Sequence, residues 1–467
     1  MEPVELGEKL TLIDVVKVAT FGAPVVIPGD TRRKIEQAHS AYLEALQKGV
    51  EIYGVTTGLG ELVKVKTVAQ GSRIIVEHAV GVGDRSPREW VRAALLIRAH
   101  QLALGYSGVK PAVVEMLAEL LNRDITPVVP IYGSVGASGD LAPLSHIALA
   151  LLGEGHVKYK GEIVPAEEAL RKEGLEPLLL DPRDALALIN GTSFSTAVLA
   201  MAIAKVENLL DKYLAYLPLY LHAVRANYKA LLPETQVKRH YGMKKIAEAI
   251  QYATPGKRLH DPYSVRCIPQ VLGPLYDVLK WAREVVENEI NSPSDNPIFT
   301  DRGPVPTCHF HGQYIAMAAD SLATALAIWA NLLERQIAQL LRSDITGKPE
   351  FLAKEPGSVG DMIYHYTAAS LVAKIRTLAT PYSVQNIPTS GFQEDVNSMS
   401  LGAAIRIHEI IKLLIDILSI HSVVTHDATD CIDCQLHIEK IYSTISDLVK
   451  KSTIPSERIK AVSAIWS

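Results

Sequence analysis

Along the second half of the chain, apolar residues recur at the three- and four-residue spacing of helices with one buried face. The pattern predicts helices over roughly 193–232, 244–252, 269–291, 312–343 and 362–377, followed by 399–425 and 435–451. The first half is more mixed. Residues 1–30 read as short strands and turns, with Leu10-Thr11-Leu12 and Pro24 to Pro28 as β-like runs, and a helix follows over Thr31 to Lys48 with Asp30 as its cap. Residues 73–100 read as two helices broken at Gly81-Val82-Gly83-Asp84, and a helix through His146 to Leu152 stops at Gly153. Residues 157–164 alternate and predict a hairpin around Lys160-Gly161. Residues 185–189 lead into Asn190-Gly191-Thr192-Ser193, a junction between a loop and a helix.

The polar and unusual residues fall between these elements. One run, Gly133-Ser134-Val135-Gly136-Ala137-Ser138-Gly139-Asp140-Leu141-Ala142-Pro143-Leu144, reads as a tight turn feeding a helix, with Asp140 and Pro143 as the start signal. A second, Ile52 to Gly60, holds three glycines in nine residues and is a loop that can present Tyr53 to a cavity.

Composition narrows the class. With 467 residues, 48% hydrophobic and 21% charged, the chain has the make-up of a large globular protein. The helical pattern runs on without a Ser/Pro-rich or charged linker, which favours one or two intimately packed domains. A formal net charge of -4 gives no case for nucleic acid. The most apolar long stretch, residues 401–424, carries Arg406, His408, Glu409, Lys412 and Asp416, too costly in lipid for a membrane span. The N-terminus lacks a basic, apolar, cleavable layout, and four cysteines in so long a chain fit a reducing cytoplasm better than a disulfide framework. Cys431 and Cys434, flanked by His426 and His437, imitate a metal-ligand spacing, but no second pair completes a zinc set, so no metal is expected.

Taken together, the motifs resemble the aromatic amino acid ammonia-lyases, the family of histidine, phenylalanine and tyrosine ammonia-lyases and related aminomutases, and come nearest to its histidine members. The resemblance runs in order from Tyr53-Gly54-Val55 through the Gly133 to Pro143 run, Asn190-Gly191-Thr192, Asp261-Pro262-Tyr263-Ser264-Val265-Arg266-Cys267 and Asn291 to Pro297, to Glu394 to Met399. It implies a mainly α fold of the fumarase/aspartase-like kind: a smaller mixed N-terminal domain over residues 1–192 bearing the prosthetic group, and a long helical bundle over residues 193–467. It also implies a homotetramer whose active sites draw on several subunits.

In this family an Ala-Ser-Gly triplet cyclises by itself into 4-methylideneimidazole-5-one (MIO). Here the resemblance implies attack of the Gly139 nitrogen on the Ala137 carbonyl, with loss of water from the ring and from Ser138. It assigns Tyr53 as the base for the β-proton, Arg266 as the clamp on the substrate carboxylate, and Asn190 and Tyr263 as hydrogen-bonding partners of the MIO carbonyl and the amine region. Phe310 lines the aromatic pocket, and Gln270 joins the substrate-binding set.

Two positions bear on the substrate side chain. His78 and Glu394 match the histidine-lyase pattern, where phenylalanine lyases have an apolar residue and an amide. A carboxylate and an imidazole both hydrogen-bond an imidazole, whereas a buried carboxylate against a bare phenyl ring is costly. Histidine, giving trans-urocanate and ammonia, is therefore the expected substrate. Glu77, His260, His309, Leu59 and Phe392 depart from the pattern around the pocket and leave open another aromatic or modified histidine substrate. Glu77 adds an acceptor for a cationic substrate, a partner for His78, or a solvent-facing charge. A 2,3-aminomutase also stays open. A non-catalytic helical scaffold is disfavoured because Tyr53, Ser138, Asn190, Tyr263 and Arg266 are all present.

Overall fold

The structure, a computed structural model, describes residues 1–66, 71–250, 256, 258–431 and 434–467. The helices in chain order are α1 (Leu12–Phe21), α2 (Gly29–Gln47), α3 (Gly71–His78), α4 (Arg88–Ala103), α5 (Pro111–Asn122), α6 (Leu141–Leu151), α7 (Ala166–Lys172), α8 (Pro182–Ile189) and α9 (Ser193–Ala223). There follow α10 (Tyr241–Ala249), α11 (Tyr263–Arg266), α12 (Ile268–Ile290), α13 (Gln313–Leu340), α14 (Ser343–Thr346), α15 (Met362–Leu378), α16 (Ser400–Ala428), α17 (Leu436–Val449) and α18 (Pro455–Trp466). Strands are short: β1 (Val4–Glu5) pairs in parallel with β2 (Val25–Val26), and β3 (Val82–Arg85) runs antiparallel to β5 (Pro130–Tyr132). The predicted hairpin is β6 (His156–Tyr159) with β7 (Glu162–Pro165), flanked by β4 (Thr126–Pro127). A last hairpin joins β8 (Ile298–Thr300) to β9 (Gly303–Val305). The protein is thus mainly α, as the periodicity indicated.

Several local expectations are corrected. Leu10-Thr11-Leu12 is a helix start: Thr11 and Asp14 form a reciprocal capping box, and Leu12, Val15, Val18 and Ala19 bury one face of α1. The helix after it begins at Gly29, so Asp30 sits within its first turn and caps nothing. The expected 193–232 helix ends at Ala223, because Arg225 takes a left-handed backbone with φ of 52°. Cys431 and Cys434 are joined as a disulfide, against the expectation of reduced thiols, and Cys267 and Cys308 are free.

Contacts divide the chain into two compact units, each assembled from separated segments. The first comprises Met1–Ala204, Ala282–Ala319 and Pro381–Ile405; the second comprises Lys205–Trp281, Asp320–Thr380 and Arg406–Ser467. Division at 192/193 follows the start of the first long helix, whereas contacts regroup later segments with the N-terminal part.

In the first unit, every residue of α4 from Trp90 to Ala103 is buried, and α1 and α5 pack on it. Helices α3, α6 and α8 pack on one another. Asp181 caps α8 through a box with Asp184, and Pro182 occupies the first turn, where its missing N–H costs nothing.

In the second unit the core is aromatic. Tyr213 meets Trp329 edge-on with ring centroids 5.5 Å apart, and Tyr216 meets Trp466 likewise at 5.5 Å. Burial pushes the His421 imidazole beside them down to about 3, so it stays neutral. Trp466 also gives its indole N–H to Ser422 Oγ at 3.2 Å, which anchors α18. Two helical stretches, Pro182–Ala223 and Gln313–Leu340, have the length and hydropathy of membrane spans, but their apolar windows are wholly and mostly buried inside the protein.

One buried charge cluster in this unit carries a prediction. Arg458 donates to both oxygens of Asp427 at 2.7 Å, and Asp361 lies beside that carboxylate. Burial, and then the charge on Asp427, push the Asp361 carboxyl up to about 7. A raised carboxyl contributes stability that is complete below its unfolded value near 4 and is lost as pH rises through 7. Asp361→Asn is therefore expected to stabilise the protein at pH 8 by about 2 kcal/mol, after discounting for partial solvation, and to do little near pH 4. Urea midpoints at the two pH values measure it; an equal or negative change at pH 8 contradicts the assignment.

Candidate active site

The packing of α3, α6 and α8 leaves a cavity of about 670 Å3 in the first unit. Its walls are Tyr53, Gly58, Leu59, Gly60, Leu62, Arg73, Ile74, Glu77, His78, Ser138, Leu141, Leu186, Ile189, Asn190, Ser390 and Glu394. Residues from five separated stretches of sequence thus face one space.

The Ala137-Ser138-Gly139 turn enters α6 directly. Gly139 has φ of 75°, and a Cβ there would fall on the backbone of Gly191, so the position admits only glycine. The Asp140 N–H donates to the Gly191 carbonyl at 2.8 Å, locking the turn to the 190–192 linker. Asn190 ends α8 and donates its side-chain Nδ2 to the Ser138 carbonyl at 2.9 Å. Its Oδ1 is buried with no hydrogen-bond partner, an orphaned acceptor beside the turn. The Asp140 side chain does not cap its own helix as the sequence led one to expect. It accepts instead from the Ser195 N–H at 2.7 Å, the Ser195 hydroxyl at 2.9 Å and the Ser134 hydroxyl at 2.8 Å, tying α9 to the turn. Burial holds its carboxyl above the ordinary range against those hydrogen bonds.

Around the triplet stand the other groups. The Ser138 hydroxyl donates to Glu394 Oε1, and Thr389 Oγ1 donates to Glu394 Oε2 at 2.6 Å. Thr389 and Glu394 are also bridged through their backbones, so the carboxylate projects from a closed turn. Tyr53 receives the Gly60 N–H on its phenolic oxygen at 2.8 Å. Burial raises the Tyr53 phenol above its usual value and the Glu394 charge adds to this, while the Gly60 bond opposes it. His78 Nδ1 lies 2.7 Å from the Ile74 carbonyl, which makes Nδ1 the protonated nitrogen and leaves Nε2 an acceptor in the neutral ring. Glu77 pairs with Arg73 at 2.6 Å one helical turn away; of the readings left open for it, pairing with His78 is not the one adopted.

The remaining sequence-predicted residues lie elsewhere. Phe310, in the first unit, is half-buried and does not line the cavity. Tyr263, Arg266 and Gln270 belong to the second unit. There Arg266 stacks on the Tyr263 ring at 5.0 Å and contacts His260 Nδ1 at 2.6 Å, and Gln270 donates to Gln236 at 2.7 Å. Sequence reasoning missed Gly60 as the donor to Tyr53, Thr389 as the brace on Glu394, and Arg73. Only Gly60 left a trace, as the last glycine of the loop that begins at Tyr53.

No described cluster of three or more His, Cys, Asp or Glu side chains has metal-site geometry. The arrangement instead gathers a phenol, a carboxylate, an imidazole and an amide around a Gly-flanked serine on a helix N-terminus. That is the equipment of an enzyme that moves protons on a small polar substrate.

The protein is a carbon–nitrogen lyase, on a family match that spans nearly the whole chain. A profile of the family described as aromatic amino acid lyase matches residues 10–450, and the chain belongs to that family of aromatic amino acid ammonia-lyases. A probable histidine ammonia-lyase of Thermoplasma acidophilum is 37% identical over 463 residues, covering 95% of this chain and 93% of the relative. Among solved structures, a tyrosine aminomutase from Streptomyces globisporus superposes with a TM-score of 0.93 at 31% identity, covering 99% of this chain and 96% of that one. The ergothioneine-degrading ergothionase of Treponema denticola gives 0.94 at 25% identity, covering 100% and 98%.

Proposed function

We propose that the protein eliminates ammonia from L-histidine to give trans-urocanate, using an MIO group made from Ala137, Ser138 and Gly139. The observation that carries this is the convergence of Tyr53, His78, Ser138, Asn190 and Glu394 on one cavity. The residues present fit the group: position 139 tolerates no Cβ, the Ser138 carbonyl already has its amide donor, and the Asn190 Oδ1 acceptor is unspent. When formed, such a group supplies an electrophile for the substrate amine.

The chain's own residues do the rest. The phenolic oxygen of Tyr53 takes the β-proton, and the Gly60 N–H stabilises the phenolate by a charge-assisted hydrogen bond. Glu394 accepts an N–H from the substrate imidazole, and His78 lines the same cavity. Arg266 clamps the substrate carboxylate with its planar fork, and Tyr263 hydrogen-bonds near the amine. Tyr263 is 71% exposed with Arg266 stacked on it, in keeping with a homotetramer in which one subunit completes the site of another.

The test is incubation of purified protein with histidine, tyrosine and phenylalanine while following the conjugated products. Urocanate from histidine is expected, and none from histidine overturns the reading. Glu394→Gln is expected to raise KM for histidine about 10- to 100-fold, since a hydrogen bond to a charged group contributes about 1.5–3 kcal/mol. It should also shift the acid limb of kcat/KM to lower pH by relieving Tyr53 of that charge. An unchanged KM contradicts the imidazole contact. The match to a tyrosine aminomutase supports a second reading, return of the amine to the neighbouring carbon; detection of a β-amino acid product would select it.

A further inference from the structure

Arg98, on α4, is 1% exposed, and among the described residues no carboxylate shares a hydrogen bond with it. Burying a cation among neutral partners costs several kcal/mol unless all its donors are used. Here they are spent on one feature. Nε donates to the Ala187 carbonyl at 2.8 Å and Nη2 to the same oxygen and to the Asn190 carbonyl at 3.0 Å. These are carbonyls at the end of α8, which lack intrahelical partners and attract a cation. Nη1 is fixed by Gln101 Oε1 at 3.1 Å and Ser294 Oγ at 3.0 Å, and Ser294 in turn donates to Gln101 at 2.8 Å.

The same guanidinium packs against Gly191. A Cβ there would strike Arg98 Nη1 on one side and come within 2.6 Å of Ser294 Oγ. Gly139 of the triplet packs on the Gly191 backbone: a Cβ on Gly139 would fall within 2.5 Å of the Gly191 N, C and O atoms. Gly191 therefore has both the guanidinium and Gly139 as close neighbours. The Asn190 amide, whose backbone carbonyl Arg98 holds, reaches the Ser138 carbonyl from the same linker.

We propose that Arg98 is a positioning residue for the cofactor-forming turn: by clamping the end of α8 it presses the 190–191 linker against Ala137-Ser138-Gly139, sets the compression that brings the turn to cyclise, and aims Asn190 at Ser138. The proposal rests on the MIO reading above. It gives the glycine of Asn190-Gly191 a physical reason and makes Arg98 act through Gly191 and Asn190 without touching substrate.

The test compares wild type with Arg98→Lys, which keeps the charge but loses the fork, and with Ser294→Ala, which loosens Nη1 without burying an unpaired cation. Chains isolated unfolded and still at full sequence mass, as from inclusion bodies, are folded well below their thermal midpoints, and the fraction that becomes two waters lighter is followed by intact mass. Arg98→Lys is expected to slow that dehydration at least tenfold, and in the dehydrated fraction to lower kcat at least tenfold with KM changed less than threefold. Ser294→Ala is expected to slow it two- to fivefold at an unchanged thermal midpoint, and it decides the matter if Arg98→Lys does not fold. Dehydration at the wild-type rate in the folded variants overturns the role of Arg98 and leaves the MIO reading standing. A wild-type chain at its full sequence mass overturns both.

Discussion

Ser138→Ala is expected to fold, to become at most one water lighter instead of two, and to lose at least about a thousandfold in kcat. The hydroxyl is half-buried and its one strong contact is Glu394, so removing it leaves no void that would unfold the α3–α6–α8 packing. What disappears is the only oxygen on the triplet's side chains, without which the second water has no source. Covalent catalysis of this kind supplies several kcal/mol of barrier lowering, and each 1.36 kcal/mol is tenfold in rate. Mass spectrometry and the near-ultraviolet absorbance of the conjugated group read the change directly. A Ser138→Ala protein that turns over histidine at more than a tenth of the wild-type rate would remove Ser138 from the chemistry.

Tyr53→Phe separates proton removal from cofactor formation. Its chain should become two waters lighter like wild type, bind histidine with KM within a few-fold, and lose about 10^2- to 10^4-fold in kcat, the usual span for a general base. The wild-type pH profile should show the same group. Burial and the Glu394 charge hold the free phenol above its ordinary value, so kcat/KM should climb with pH into the alkaline range, and that limb should vanish in Tyr53→Phe. If kcat survives the substitution, another group takes the proton.

Three of the residues that face the cavity were legible because each is bound to a local motif. Tyr53 opens a glycine loop, Ser138 sits in a long unusual run, and Asn190 ends a helix, so order along the chain placed all three. Glu77 shows the limit. Its neighbours in sequence are His78 and Val76, but its partner is Arg73 a turn earlier on an exposed helix face, one of several pairings the helical spacing permits. Thr389 and Arg98 were illegible for another reason: a threonine in a loop and an arginine in an apolar helix acquire meaning only through carbonyls and carboxylates far away in sequence. Among the missed helices, α1, α7 and α18 are short and bury few residues, while α5 starts after Lys110 with no side-chain cap to announce it. Periodicity cannot stand out over so few turns, and α18 is held chiefly by Trp466. The division into units escaped because contacts regroup residues 282–319 and 381–405 with the N-terminal segment, and nothing local to either stretch signals it.

The meeting of Gly139 with Gly191 has a consequence for the protein's variability. Most tight contacts between two positions can drift by exchange, one side chain growing as the other shrinks. Here both partners already have none: a Cβ at 139 would meet the Gly191 main chain, which has no smaller form, and one at 191 would meet the Arg98 guanidinium and the Ser294 hydroxyl. Position 139 therefore has no compensating second change, and relief at 191 would have to come from Ser294 and from Arg98, which already holds the end of α8. In a combinatorial library built on this scaffold, position 139 should stay glycine and position 191 should vary only together with 98 and 294, while Leu59, Glu77 and Ser390 around the same cavity remain free to be searched for new substrates.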